Sequence, residues 1–391
     1  MKVLQVHNAY QYRGGEDTVV QAEAALLRAQ GHEVIEMRRR FEQIAQRGPF
    51  GVARDALWSN QTLAELRQIV RDEKPDILHA HNIFPLISPS LFWAADDARL
   101  PVVQTLHNFR LLCPQAQLLR DRQVCEKCVG RTPLPAVLHG CYRGSRPASA
   151  VLAGMLVLHR GLGTWTTKVD RFIALTAFGR DKFVQGGLPA ERVVVKPNFV
   201  AVDAAATDQQ RAGFVFVGRL SVEKGVDVLA QAAAGLPEGS LQVIGTGPDA
   251  AALEHCGAAQ MLGHQDSVAV RDAMARAQAL VFPSIWYETF GLVIVEAFAM
   301  GTPVIASRLG AAVDVVIDGQ TGLLFEPGDA VDLGRKLRWA QDHPQEMAAM
   351  GRRARELVLE RYTPQVNYRQ LMAIYAEATR SRTARTATLA P

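Results

Sequence analysis

No stretch of the 391 residues approaches the run of roughly 20 apolar residues needed to cross a bilayer. The opening MKVLQVHNAY carries an apolar run too short for a secretory signal and no small-residue cleavage pattern. A cytosolic chain is therefore expected, able at most to touch a membrane face. An excess of one charge is lacking too. The formal net charge of +4 is too mild to mark a nucleic-acid binder, and it suits an anionic small ligand. Cysteine is scarce at five residues, yet Cys113, Cys125, Cys128 and Cys141 share one short region. In a reducing compartment that clustering favours metal or free thiols over disulfides. Cys256 stands apart and is expected in the core. No G-x-G-x-x-G follows the first strand, where HNAYQYRGGED stands, which counts against a dinucleotide-binding dehydrogenase. Nor does an Asp-x-Asp sit at a suitable strand end to hold a divalent cation.

What is present reads as one grammar used twice. The apolar share of 48% and charged share of 21% are ordinary globular values, and a chain this long predicts two domains. The first half gives strands at KVLQVHN, HEVIEM, DILHAHN, PVVQTLHN, RFIALT and RVVVKPN, with amphipathic helices between several of them. The second half restarts the alternation with GFVFVG, LQVIG, AQML, ALVFPS, PVIAS and GLLF. Near-continuous apolar strands alternating with helices predict parallel sheets covered on both faces. The fold class is thus α/β: two Rossmann-like, doubly wound parallel-sheet domains facing a cleft. The expected divisions are 1–197, with a Cys-rich insertion at about 109–150, then 198–375, then a flexible tail at 376–391. NFVAVDAAATDQQRA, residues 198–212, reads as a linker, and RSRTARTATLAP as a frayed end without an apolar face.

Ligands of open α/β sheets bind beyond the carboxyl ends of the strands. There the second half carries VFPSIWYETFGLVIVEAFAMGTPVIAS, residues 281–307, with acid inside an apolar stretch. Glu288 falls in the loop after the strand ALVFPS. Glu296 falls about two turns inside the following helix, and eight residues rotate direction by roughly 80°, so both can face one cleft. A carboxylate accepting bidentately can hold the neighbouring hydroxyls of a ribose or hexose. Solvated surface acids are the plain alternative, but LVIVEAFAM leaves Glu296 little solvated face. Amides near Thr289, Phe290 and Gly291 can take a phosphate at the helix start. VGRLSVEKG puts Arg219 and Lys224 near a helix start at Gly225, two cations suited to a diphosphate. Gly245 and Gly247 in VIGTGPDA permit close approach to a flat ring, and Gly14 and Gly15 allow the same after the first strand. QTLHN ends a strand on His107, which is either a satisfied structural histidine or a group at the cleft.

Together, RGGED, TLHN, VGRLSVEKG, GTGP and YETFGLVIVEAFAMGTPVIAS, with DVVIDGQTGLLFEPGD behind them, resemble the retaining glycosyltransferases of family 4 with the GT-B fold, of the bacterial surface-polysaccharide type. The last motif carries that family's E-x7-E pattern, and the likeness runs from residue 1 to about 375. It implies that Arg219 and Lys224, beside Gly218, bind the donor's diphosphate. Glu288 would contact the donor sugar, Glu296 the ribose, and the amides from Thr289 to Leu292 sugar and phosphate. Gly15 would lie under the diphosphate and His107 near the transferred sugar. Asn108 replaces the Asp often found after that histidine, which puts an acid role there in doubt. Two cations and helix amides can stabilise the departing diphosphate, so metal-independent chemistry is expected.

The gaps of eleven, two and twelve residues between the clustered cysteines resemble a four-thiolate zinc pattern with one C-x2-C knuckle. His139 can replace one thiolate, and free thiols or a disulfide loop are the alternatives. In VLHRGLGTWTTKVDRF and just before it, Arg143, Arg146, Arg160 and Lys168 with an exposed Trp165 suit a membrane interface presenting a lipid-linked acceptor; a plain surface helix is the other account. The function expected is sugar transfer from a nucleotide-diphosphate sugar to a glycan or lipid-linked saccharide, in cell-surface polysaccharide synthesis. The alternatives are a GT-B nucleotide-sugar hydrolase or epimerase, and a catalytically silent nucleotide-sugar binder.

Overall fold

The computed structural model describes residues 1–9, 14–40, 42–45, 47–202 and 211–388. The expected linker lies largely outside the described residues, at 203–210. The chain divides into two compact units.

The first unit is built on six parallel strands: β1 (Lys2–Asn8), β2 (Glu33–Arg39), β3 (Ile77–Ala80), β4 (Val102–Leu106), β7 (Arg171–Ala174) and β8 (Val193–Val195). Their order is β2-β1-β3-β4-β7-β8. A small antiparallel pair, β5 (Leu119–Arg120) and β6 (Gln123–Val124), interrupts them. The second unit carries β9 (Phe214–Val217), β10 (Leu241–Ile244), β11 (Ala259–Gly263), β12 (Ala279–Phe282), β13 (Val304–Ser307) and β14 (Gly322–Phe325). Their order is β11-β10-β9-β12-β13-β14, again all parallel. Central strands such as β4, β12 and β13 are buried along their whole length, as sheets covered on both faces require.

Each sheet has one point at which the chain reverses its direction of travel across the strands. In the first sheet this lies between β1 and β3, and in the second between β9 and β12. Connections leave such neighbouring strands toward opposite faces, which opens a crevice at their carboxyl ends.

The domain ends differ from the expectation in two places. The pair β5–β6 belongs to the second unit, and the second unit closes at Asn367, not at 375. From 376 to 388 the expected flexible tail is helical instead, continuing the helix Pro364–Thr388, which from Tyr368 on is part of the first unit; residues 389–391 lie outside the described residues. Its stripe Leu371, Ile374, Tyr375 and Ala378, spaced for one helix face, packs against Val3, Leu27, Ile77, Val103 and Ile173. The same stripe then continues with arginine. Arg382 is buried and pairs with Asp96 and Asp170, and Arg385 also pairs with Asp170. Asp170 Oδ2 accepts the Val102 N–H at 2.8 Å as well. The basic end of the chain reads as solvated only because its acidic partners lie more than 200 residues earlier.

Candidate active site

In the second unit three strand-end loops meet. After β9 the chain passes exposed Arg219 and a short 3-10 turn, Val222–Lys224, and then enters the helix Val226–Ala233 through Gly225 in the left-handed region, φ 68°. A Cβ on Gly225 would lie 2.0 Å from the Pro283 carbonyl oxygen, so only glycine lets this loop press against the one after β12. The Ile285 N–H donates to Glu223 O at 3.0 Å and locks the two loops together.

That approach delivers Lys224 to Glu288. Lys224 Nζ donates to Glu288 Oε1 at 2.5 Å, and the same oxygen accepts from Trp286 Nε1 at 2.8 Å and Ser284 Oγ at 3.1 Å. Glu288 is 9% exposed, so its charge is held by three donors rather than by water. The loop after β13 closes on the same spot, with the Ala311 N–H donating to Glu288 O and Gly310, φ 59°, against the backbone of Tyr287 and Glu288. Gly310 was not singled out from the sequence; its signal is the Leu-Gly-Ala break after the strand PVIAS. Arg219 stands outside the hydrogen bonds of the Lys224–Glu288 pair.

Beyond Glu288, Thr289 and buried Phe290 lead to Gly291, whose left-handed conformation, φ 77°, starts the helix Leu292–Ala299. Leu292 is the first helical residue, and half-buried Glu296 lies within this helix. Burial lifts the Glu296 carboxyl above its ordinary range, and Arg271, on the helix Ser267–Arg276, opposes that rise. Arg271 was missed because it sits on an unremarkable amphipathic helix.

Gly245 and Gly247 are required by the packing of two strand-end loops. A Cβ on Gly245 would lie 1.9 Å from Gly218 O, and one on Gly247 2.1 Å from Leu220 O. The close approach they permit is between the loops after β9 and β10, and it holds Gly218 and Arg219 in place. Gly14 caps the helix Gly15–Ala29, with its N–H donating to Asp17 Oδ2 at 3.1 Å. Gly14 and Gly15 both face open space; Arg13 of the RGGED motif lies outside the described residues.

The first unit gathers a second group of side chains at its own switch point. His107, at the end of β4, meets His81, just past β3, with His107 Nε2 and His81 Nδ1 2.9 Å apart. Burial first, and then the neighbouring His81 and His7, push His107 well below the ordinary imidazole range, so it is neutral. Beside it is a small cavity of about 40 Å³ whose polar lining includes Glu16, His81, Asn82, His107, Asn108 and Arg110. Two polar atoms buried in lining residues, Gln104 Oε1 and Trp165 Nε1, have no hydrogen-bond partner among the described residues. The alternating histidines of DILHAHN were visible in the sequence but were taken only as strand.

Trp165 is 4% exposed, which overturns the reading of it as an exposed membrane anchor. Arg160 donates to Leu111 O and Arg131 O, and Lys168 pairs with Asp96 while lying over the Trp93 ring. These basic groups are engaged within the unit. Among the described residues no helix is long and apolar enough to cross a membrane.

None of the five cysteines is joined in a disulfide. Burial, then Cys113, with Cys125 and Cys141 adding to it, pushes the Cys128 thiol up to about 11, so the other three lie within electrostatic reach of Cys128. Among the described residues, however, the group of three or more metal-ligating side chains whose ligand atoms come within 4.8 Å of one another is Glu23, His79 and His81, not the cysteines.

Comparison with known proteins agrees with this architecture. The family model "Glycosyltransferase Family 4" matches residues 13–204, and "Glycosyl transferases group 1" matches residues 202–357. The sulfoquinovosyl transferase SQD2 of Arabidopsis thaliana is 36% identical over 148 residues, covering 36% of this chain and 29% of that protein. The glycogen synthase of Mycobacterium tuberculosis is 32% identical over 244 residues, covering 57% of each chain. The matched region thus spans between about a third and somewhat over half of these relatives. Among solved structures, HepE from Anabaena in complex with UDP and glucose superposes with a TM-score of 0.67 at 18% identity, over 96% of this chain and 99% of that one. That likeness shows a shared two-domain GT-B fold. With the two family models adjoining and together taking in the strand-end loops of both units, the chain belongs to the family 4 glycosyltransferases.

Proposed function

We propose that this protein is a retaining glycosyltransferase that moves a sugar from a nucleotide-diphosphate sugar to a glycan or lipid-linked saccharide, without a catalytic metal ion, in cell-surface polysaccharide synthesis. The observation that carries the reading is the Lys224–Glu288 pair, 2.5 Å apart and built by three strand-end loops at the switch point of the second sheet. A lysine already ordered against a carboxylate can turn one of its remaining N–H groups to a phosphate without reorganising. Arg219 on the same loop supplies the second cation, and Glu296 accepts the ribose hydroxyls. As the bond from the anomeric carbon to the phosphate oxygen breaks, the diphosphate gains negative charge, which these groups offset. Retention has the acceptor hydroxyl attack on the face the diphosphate leaves, with the leaving phosphate taking the acceptor's proton.

A panel of nucleoside diphosphates and their sugars, read by thermal shift, tests the donor half. One donor is expected to stand out, since binding stabilises the fold by mass action, and EDTA is expected to leave both the shift and the turnover unchanged. Glu296→Ala is expected to abolish the shift with every ribose-bearing ligand; a shift of full size in that variant removes Glu296 from the site.

The four cysteines enter this proposal as a structural zinc site. Their mutual electrostatic effect on Cys128 is what a cation would relieve, although the sulfurs must draw closer to share one ion. Metal analysis of the purified protein is expected to give one zinc per chain, lost in Cys128→Ser; a metal-free wild type ends this part of the reading.

A further inference from the structure

Glu23 lies on the helix Gly15–Ala29, is 2% exposed, and has no place in the site described above. Its Oε1 is 3.0 Å from His79 Nδ1 and 3.3 Å from His81 Nε2, and its Oε2 is 3.4 Å from Lys196 Nζ. His79, on β3, is held at both nitrogens, Nδ1 to Tyr375 Oη and Nε2 to Thr105 Oγ1, each at 2.8 Å. Glu23, His79 and His81 sit close enough to be considered metal ligands. The buried Lys196 ammonium argues otherwise, because it supplies the positive charge that an ion would bring. Burial alone would raise the Glu23 carboxyl, but His79 and Lys196 outweigh it and hold it well below the ordinary carboxylate range. Glu23 is therefore an ionised, buried carboxylate two contacts from His107.

The chain of contacts has a consequence for the proton. His81 is neutral, because burial and the neighbouring His79 push its imidazole down to about 3 against the opposing pull of Glu23. A neutral imidazole carries one N–H, and the carboxylate beside Nε2 favours it there, although the angles to Oε1 are not those of a straight hydrogen bond. Gln5 Nε2, at 3.4 Å from the same nitrogen, is the longer and uncharged competitor, and it also donates to Val20 O. With its proton on Nε2, His81 presents a lone pair at Nδ1. That nitrogen can only accept, so His107 must donate to it from Nε2 across the 2.9 Å contact. The rings of His81 and His107 are also stacked, with centroids 5.2 Å apart.

We propose that Glu23, acting through His81, is a positioning residue that fixes the ring of His107 and keeps its proton on Nε2 and its lone pair on Nδ1. The role of His107 at the transferred sugar rests on the glycosyltransferase reading; its protonation pattern does not. Glu23→Gln alone would strand the Lys196 charge in the core and can fail to fold, so the test variant is Glu23→Gln with Lys196→Met, which removes both charges together.

Nitrogen-15 spectra of the full chain, labelled at histidine, read the result directly. In the wild type His107 is expected to show one protonated and one unprotonated ring nitrogen, unchanged from pH 6 to 8. In the double variant the two signals are expected to move toward each other as tautomers exchange. The turnover number should fall roughly 10–100-fold with KM for the donor little changed, the scale seen when groups that orient a functional histidine are removed. An unchanged nitrogen pattern in a folded double variant overturns the proposal. A changed pattern with wild-type turnover upholds the coupling and instead removes His107 from the reacting sugar.

Discussion

Lys224→Met is expected to lower the turnover number roughly 10²–10³-fold, the cost typical of removing one donor to a developing anion. Methionine keeps most of the aliphatic stem that lies near the Phe282 and Trp286 rings, where the ammonium sits 5.9 Å and 5.7 Å from the two centroids. The fold should hold as well, because Glu288 Oε1 retains its bonds from Trp286 and Ser284. The loss should therefore fall on the step in which charge develops and less on donor affinity. Arg219 makes a useful contrast: it is exposed and must be recruited from solvent, so Arg219→Met should weaken donor binding at least as much as it slows transfer. Because Lys224 and Glu288 share a hydrogen bond, the effects of Lys224→Met and Glu288→Gln should combine far from additively. Full additivity in a double-mutant cycle, measured on turnover, would show that the pair does not act as one unit.

How far the sequence revealed this site follows from where the determining contacts lie. Arg219, Lys224 and Glu288 were legible because each sits just after an apolar strand, and strand-end loops of an open α/β sheet converge whatever their detail. Glu296 was legible because its helix has almost no polar face. The loop packing at Gly245 and Gly247 was not, since nothing local indicates that the carbonyl oxygens of Gly218 and Leu220 fill the space a Cβ would take. The buried polar chain was hidden for a related reason. Glu23 sits on a helix that reads as amphipathic and Lys196 at the end of VVVKPN, and 173 residues separate them. Burial of a charge becomes visible only when its partner is placed beside it. Trp165 failed in the opposite sense: neighbouring basic residues suggested an interface, yet those side chains turn to backbone carbonyls and to Asp96, and the indole is enclosed. At the carboxyl end, periodicity was right as far as Ala378 and misled afterwards, because Arg382 and Arg385 continue the buried stripe against Asp96 and Asp170.

The same buried histidines make stability fall on acidification. His81 has an ordinary value of 6.5 and is held at about 3 in the fold, so between those values the unfolded chain binds the extra proton and the native chain does not. Stability from this group is fully present above pH 6.5 and is lost progressively as the pH drops toward 3. At pH 4 the loss from His81 alone is about 3 kcal/mol, a large share of the 5–15 kcal/mol typical of a domain. His107 and His159, both depressed by burial, add in the same direction. Glu23 joins below its ordinary 4.5, since its folded carboxyl lies well under that value. Glu296 works against the trend, its raised carboxyl being relieved by protonation, but one half-buried acid does not balance three depressed imidazoles. The groups that face His81 are His79, Glu23, His107 and His7. Of these only Glu23 is negative, and its contact with His81 Nε2 is already included in the depressed value, so no further acid is at hand to rescue an imidazolium. Urea unfolding of the full chain is therefore expected to show a midpoint that is flat from pH 8 to 7 and falls steeply from pH 6 to 4. His81→Asn, which retains an acceptor for His107 but cannot take up a proton, should flatten the fall by about 3 kcal/mol at pH 4. A wild-type midpoint that stays level down to pH 4 would mean that the imidazoles reach water before the chain unfolds, and the neutral, single-tautomer state assigned to His81 and His107 would fall with it.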